Sequence, residues 1–437
     1  MTNYFFNLNN IFNKNDFNKI KEIAILISEN NGSLYLVGGS VRDIFMNKKP
    51  NDYDFCVVGL TKEIFENLFP NAIKQGKNFP VYILENHEFA LARKEFKTGT
   101  KHTEFEFDTT PNISIYDDLK RRDLTINSIA INILSSEIID PFNGISDIDN
   151  RILRMTSQAF SEDPLRVYRV ARFSSQLNFN IDDDTLNMMR NMKNELPNLS
   201  VERVFGEFRK ALNSYFPANF FEVLKKSNCL DIHFKDIYNL IGVEQPLRYH
   251  PEGDAYNHTI EVLKKVSSAC NDELIRFGAL VHDFGKTITP KDNWPHHYNH
   301  EDLGIPIIKD FCKKLKMPSS FLKAGTCSCQ EHMLAGIYQK LKPGTKIDLF
   351  ERVYKNKYLT LEGLEIIVNG DKTSEVQIKF ATIGNKIMKD IKLSVDDLAK
   401  INSMPNQDKY HRNEKIKQIL KEKRIRYLLE LENKFYT

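Results

Sequence analysis

LVGGSVRDIFMNKKPNDYDFCVV, residues 36–58, decides how the first third of the chain folds. Leu34 to Val37 is an apolar run suited to a buried strand. Gly38 and Gly39 let the main chain turn tightly and come close to a ligand. Ser40, Val41, Arg42 and Asp43 then open a helix, a context in which main-chain N–H groups hold phosphate. Asp52 to Val58 reads as a second strand. Residues i and i+2 of a strand point to one side, so Asp52 and Asp54 are expected to aim two carboxylates at one point. Two hard oxygen ligands side by side suit Mg²⁺ bridging the phosphates of a nucleotide. A double glycine or an Asp-x-Asp alone is common in polar turns. Their order on strand, turn, helix and strand carries the reading.

A chain of 437 residues exceeds one compact core, and two to four domains are expected. With 41% hydrophobic and 27% charged residues, the composition is that of an ordinary soluble globular protein. MTNYFFNLNNIF lacks the basic start and long apolar core of a secretory signal. No run approaches the roughly 18 apolar residues of a membrane span. The six cysteines are scattered, and Cys327-x-Cys329 has no second pair at zinc-ribbon spacing, so free thiols in a reducing cytoplasm are expected. The formal charge is only +3, so a nucleic-acid partner must be held by local basic patches such as Lys225-Lys226 and Lys313-Lys314.

Phe17, Ile20, Ile23, Ala24 and Ile27 recur at helical spacing and predict a helix in the first 32 residues. Strand-like runs follow at Val81–Leu84, Phe89–Ala92, Glu104–Asp108 and Ile129–Ile133. From about residue 160 the pattern is helical, which marks the clearest domain boundary. Asn413–Phe435 reads as a basic amphipathic helix with a solvated face, packed on the body.

Further along, Arg121-Arg122-Asp123-Leu124-Thr125-Ile126-Asn127 offers guanidinium forks for phosphate oxygens. Asp163 is a helix cap and Pro164 a favoured first residue, which puts Asp163, Arg166 and Arg169 on one face. Cytosine presents an N4 donor beside the N3 acceptor, and adenine an N6 donor beside N1. An accepting aspartate with a donating arginine fits both, whereas guanine and uracil present the reverse order. Such a base-edge pairing discriminates by about 1–3 kcal/mol. The plain alternative, an ion pair on a helix surface, contributes a few tenths of a kcal/mol.

In their order, Gly38-Gly39-Ser40-Val41-Arg42-Asp43, Asp52-Tyr53-Asp54, Arg121–Asn127, Asp140–Gly144, Glu162–Arg166 and Glu202–Glu207 resemble the motifs of the class II tRNA nucleotidyltransferases and bacterial poly(A) polymerases. Ser128 stands where that family often has alanine, and Asn47 where its first helix usually ends in glycine. The resemblance implies a multidomain α+β chain: a nucleotidyltransferase palm of mixed β-sheet with helices, then an all-α neck, body and HD domain. Asp52 and Asp54 would be catalytic and hold Mg²⁺. Gly39, Arg42 and Arg122 would hold phosphates, while Asp163 and Arg166 read the base and Arg169 seats the nucleotide. Asp108 is a candidate third carboxylate.

The later part carries Tyr256-Asn257-His258-Thr259 and His282-Asp283-Phe284-Gly285-Lys286, with His297, His300, His332 and Asp371 downstream. Histidine with carboxylate suits a transition metal or a mixed N/O site. The order resembles the HD phosphohydrolases, which makes His258, His282, Asp283 and Asp371 ligands of a divalent ion such as Ni²⁺ or Mn²⁺. His297, His300 and His332 are candidates for a second metal position or a phosphate contact. Together the two halves imply the bacterial multifunctional CCA type, adding CCA to tRNA from CTP and ATP, with metal-dependent phosphatase and 2′,3′-cyclic phosphodiesterase activity. The expected partners are tRNA and the two nucleotides, with no membrane, in a cytoplasmic monomer or homodimer. The expected domains are 1–32 (extension), 33–155 (palm), 156–253 (neck and body), 254–375 (HD) and 376–437 (tail). Two alternatives stay open: a poly(A) polymerase or partial CC- or A-adding enzyme, and an HD phosphohydrolase whose inactive palm binds RNA.

Overall fold

The computed structural model describes residues 8, 11–76, 80–97, 105–108, 110–248, 250–372, 377–402 and 409–435. The chain forms two compact units, Met1–Ser200 with Lys226–Cys229 and Val201–Lys225 with Leu230–Thr437.

In the first unit, helix α1 (Lys14–Glu29) is capped by Asn13, whose side chain accepts from the Asp16 N–H. The predicted stripe holds: Ile20, Ile23, Ala24 and Ile27 are buried. Eleven strands occur among the described residues. These are β1 (Ser33–Val37), β2 (Asp54–Val58), β3 (Ile73–Gln75), β4 (Val81–Leu84), β5 (His87–Leu91), β6 (Lys94–Lys97), β7 (Phe105–Asp108), β8 (Ala130–Asn132), β9 (Ile138–Ile139), β10 (Ile152–Leu153) and β11 (Asn180–Ile181). Seven form one sheet in the order β3-β4-β5-β2-β1-β8-β9, and β6 with β7 makes a separate two-stranded ribbon. β2 runs parallel to β5, and the other neighbours in the large sheet are antiparallel. Strand alternation sorts the side chains. Val37, Cys56 and Ala130 pack with Ile115 and Leu119 on one side, while Phe55 points the other way and stacks on Phe89 at 4.9 Å. Burying a phenylalanine such as Phe55 stabilises the fold by about 1.5–3 kcal/mol.

Two local expectations need correction. β2 begins at Asp54, not Asp52, because Asp54 is the first residue with ladder partners, Val37 on one side and Glu88 on the other. Asp52 therefore precedes the strand in an exposed bend after Pro50-Asn51. Strand structure also continues past residue 160, since β11 pairs in parallel with β10. Asn47 does adopt the left-handed conformation expected of it, with φ 55°.

The second unit is helical among its described residues. Helix Glu273–Val281 is buried from Phe277 to Val281. The C-terminal helix, Lys409–Phe435, starts four residues earlier than expected and packs Leu428 and Leu431 into the cluster of Ile347, Phe350 and Ile387. Lys421 and Arg424 pair with Asp348 and Glu351 of helix Pro343–Asn356, which anchors its basic face.

Candidate functional site

Asp54 stands at the start of β2, where it pairs with Val37 beside the turn that Gly38 makes at the end of β1. Gly38 has φ +76°, and a Cβ there would sit 3.2 Å from Arg122 Nη1 and 3.5 Å from Asp54 Oδ2. The bare main chain thus passes between a guanidinium and a carboxylate. Gly38→Ala should cost about 1–3 kcal/mol of strain and push both side chains aside. Urea unfolding and nucleotide incorporation should both register it, the second more severely.

A cleft of about 200 Å³ is lined by Asp54, Glu88, Arg93, Asp118, Arg121 and Arg122, with apolar walls from Val37, Cys56 and Ala90. Arg122 is fixed by Asp118, whose Oδ2 accepts from Nη2 at 3.0 Å and from Nε at 3.2 Å. Burial would raise the Asp118 carboxyl, but the Arg121 and Arg122 guanidiniums hold it down at about 2. Burial and the neighbouring Glu88 push Asp54 above its ordinary value, with Asp52 adding to the effect and Arg122 opposing it. Like charges crowded in this way fit a divalent cation, which would relieve their repulsion with hard oxygen donors.

Glu88 went unnoticed in the sequence. It is one acid in the strand HEFAL, and only the parallel register Asp54↔Glu88 brings it to Asp54. Asp108 ends β7 on the separate ribbon, and its side chain lies outside the described residues.

The remaining palm-side motifs join in one hydrogen-bonded network. Arg42 donates to Asp43 Oδ1 and to Asn127 Oδ1 at 2.9 Å. Asn127 Nδ2 donates to Asp123 Oδ1 at 3.1 Å, and Arg169 Nε donates to Asp123 Oδ2 at 2.7 Å. Burial alone would raise Asp123, but Arg169 and Asn127 hold it at about 2. The guanidiniums of Arg42, Arg169 and Arg172 all face the Phe173 ring, at 5.4, 5.7 and 3.9 Å from its centroid. On helix Leu165–Leu177, Asp163 caps as expected, its Oδ1 accepting from Leu165 N at 3.0 Å. Arg166 is buried, and Nη1 and Nη2 donate to the carbonyls of Ala159 and Arg121. Its guanidinium plane is thereby fixed.

The second unit gathers the predicted histidines and acids around Asp283. His258 comes from helix Ala255–Ala269, and His282 caps the helix that ends at Val281. Asp371 ends helix Leu361–Asp371, while His300 and His332 come from helices His300–Lys314 and Ser319–Gly336. His258 Nε2 lies 2.8 Å from Asp371 Oδ1 and 3.6 Å from Asp283 Oδ2, and His282 Nε2 lies 3.3 Å from Asp283 Oδ2. On the other side, the Nε2 atoms of His300 and His332 lie 3.3 and 3.6 Å from Asp283 Oδ1. The Nδ1 atoms of His282, His300 and His332 each face the carbonyl three residues back, of Ala279, His297 and Cys329. Those bonds fix the tautomer and turn three Nε2 lone pairs inward.

His282 Nε2 is buried with no hydrogen-bond partner, an orphan of the kind that a metal ligand leaves. Burial would lower the His282 imidazole, but Asp283 and Asp371 raise it to about 10. That field calls for positive charge, which a divalent cation also supplies. The donors divide into two sets sharing Asp283: His258, His282 and Asp283 in one, Asp283, His300 and His332 in the other. Their spacing and chemistry fit two divalent ions. His297 does not join them. Its Nδ1 faces Thr289 Oγ1 at 2.6 Å and its Nε2 faces the Glu244 carbonyl at 2.8 Å, so both nitrogens hold loop structure. Sequence spacing alone could not separate it from His300. No helix among the described residues is long and apolar enough to cross a membrane.

Comparison with known proteins agrees with both halves. Residues 34–154 match the family model described as the poly A polymerase head domain, residues 178–240 the probable RNA- and SrmB-binding site of polymerase A, and residues 255–355 the HD domain. The multifunctional CCA protein of Nitrosococcus oceani is 40% identical over 73% of this chain and 79% of its own length. That of Mannheimia succiniciproducens is 43% identical over 73% and 78%. A solved CCA-adding enzyme in complex with CTP covers 98% of each chain at TM-score 0.66 and 18% identity, a likeness of fold. By its motifs, its paired sites and this kinship, the chain belongs to the multifunctional CCA protein family.

Proposed function

We propose that the chain rebuilds the CCA end of tRNA from CTP and ATP without a nucleic-acid template, with Asp52 and Asp54 as the catalytic pair. The carrying observation is the close approach of the Gly38 turn to both Arg122 and Asp54 in one acid-lined cleft. Mg²⁺ held by Asp52 and Asp54, with Glu88 beside them, would stabilise the charge that develops at the α-phosphoryl. The RNA 3′ oxygen forms a bond to the α-phosphorus, the bond to the β-phosphate oxygen breaks, and pyrophosphate leaves. The Gly39 N–H, Arg42 and Arg122 hold the leaving phosphates. Asp118 and Asn127 keep the two arginines extended.

Asp163 and Arg166 read the base and Arg169 seats the nucleotide. Because the carbonyls of Ala159 and Arg121 fix the Arg166 plane, its guanidinium meets cytosine N3 or adenine N1 without reordering. Asp163→Ala and Arg166→Ala should relax selection against GTP and UTP by roughly tenfold to a hundredfold. Single-nucleotide incorporation from each of the four triphosphates checks this, and unchanged selectivity would refute the reading.

In the second unit, His258, His282, Asp283 and Asp371 hold one ion of the Ni²⁺ or Mn²⁺ class, and Asp283, His300 and His332 hold another. Such ions supply a water activated against a phosphoester, in keeping with phosphatase and 2′,3′-cyclic phosphodiesterase chemistry on RNA ends. Lys286, with Nζ 2.6 Å from Asp283 Oδ2, balances the charge of the shared carboxylate. The palm then spans residues 33–155, the neck and body 156–253, the HD domain 254–375 and the tail 376–437. The six cysteines are free, which suits work in the cytoplasm.

A further inference from the structure

The family model begins at residue 34, so the described residues 8 and 11–29 lie ahead of the palm that it matches. Leu8 and Phe12 are buried, 2% and 6% exposed, although they precede α1. What Phe12 packs on includes the residue between the two acids. Tyr53, the residue between Asp52 and Asp54, donates its hydroxyl to the Ile11 carbonyl at 3.1 Å. Its ring lies 4.4 Å from that of Phe12, centroid to centroid, and His87 of β5 meets it edge-on at 5.6 Å. Phe12 also stacks on Phe17 of α1 at 5.7 Å and on Phe55 of β2 at 6.4 Å. On the far edge, Lys19 of α1 pairs with Glu85 at the β4–β5 turn.

The sheet leaves a specific weakness here. Asp54 is held by the ladder on both sides, whereas Asp52 sits in an exposed bend with no ladder partner. For two carboxylates to share one cation, both must stay within about 0.5 Å of the productive arrangement. The residue that joins them sets that arrangement, and its side chain is the one gripped by the segment ahead of the palm.

We propose that the N-terminal segment is a positioning element for nucleotide addition: Ile11 and Phe12 clamp Tyr53 and thereby fix Asp52 relative to Asp54. This inference rests on the assignment of those acids to nucleotidyl transfer. Tyr53 and Phe12 touch neither substrate nor metal and act only through the main chain of residues 52–54.

The test uses the full-length protein and three variants: Tyr53→Phe, which removes only the hydroxyl, Phe12→Ala, and Phe12→Leu. Incorporation of CMP into tRNA lacking its CCA end is measured against Mg²⁺ concentration, alongside phosphatase activity with p-nitrophenyl phosphate and the melting temperature. The expected result is a Mg²⁺ half-saturation point raised about threefold to tenfold in Tyr53→Phe and more in Phe12→Ala. Phe12→Leu should recover most of the loss, KM for CTP should change little, and phosphatase turnover should be that of the parent. Parental Mg²⁺ dependence in both Tyr53→Phe and Phe12→Ala would overturn the clamp. So would a loss of both activities in step with the melting temperature, which marks a merely structural contact. If the parent itself incorporates no nucleotide, or Asp52→Asn incorporates as well as the parent, the assignment of the acids fails instead.

Discussion

Replacing Asp54 with alanine should abolish nucleotide addition, by at least about a thousandfold, and leave phosphohydrolase turnover at the parental rate. The size follows from what is removed. Asp54 is the one acid of the pair locked in the sheet, between Val37 and Glu88, and it faces Arg122 across the Gly38 turn. Metal-assisted stabilisation of phosphoryl charge is worth several kcal/mol, and each 1.36 kcal/mol is tenfold in rate. Losing a half-buried carboxylate that burial, Glu88 and Asp52 all push up should not unfold the palm, since desolvation cost and repulsion fall with it. The selectivity of the effect is the informative part. Asp54 belongs to the first unit and the histidine cluster to the second. Loss of both activities, or of neither, would contradict two separate sites.

The second large effect is the mirror image. Asp283→Ala should strip the second unit of metal and of phosphohydrolase activity while CCA addition continues. Asp283 is 1% exposed and is shared by both sets of ligand atoms. Even partners that only orient a ligand change metal affinity by about 10–100-fold, so removing the shared ligand should exceed that. Atomic-emission metal content after dialysis reads the first consequence and phosphatase turnover the second. His282, Lys286 and His300 all lie against this carboxylate, so its loss leaves positive charge buried. Asp283→Asn keeps the volume and should give the same metal loss with less destabilisation, and retained CCA addition reports that the chain is folded. Parental metal content in both variants would refute the assignment.

Much of this was legible in residues 36–58, for a physical reason. A strand that must turn at Gly38 and return as an acid-bearing strand constrains residue types at nearly every step, and those constraints are local. The motifs that hold Arg42, Arg122, Asp163 and Arg169 were legible as helix starts and turns, whose signals are also local. What was missed depended on partners far away in the chain. Glu88 reaches Asp54 only through the parallel pairing of β2 with β5. The start of β2 was misplaced by two residues because alternation continues into the bend, whereas ladder partners do not. His297 and His300 are equivalent on spacing. They part only because the loop turns one toward Thr289 and Glu244, and the helix beginning at His300 aims the other at Asp283. The N-terminal lead-in was readable as a helix from its apolar stripe, but its grip on Tyr53 was not, since an aromatic between two acids carries no mark of what covers it.

The most direct test of the central claim is to incubate the purified full-length protein with tRNA lacking its last three nucleotides, giving CTP alone, ATP alone, and both. One pocket that reads C and A without a nucleic-acid template predicts two additions from CTP alone, none from ATP alone, and three, ending in A, from the pair. A long A-tract from ATP alone would contradict it and make the chain a poly(A) polymerase.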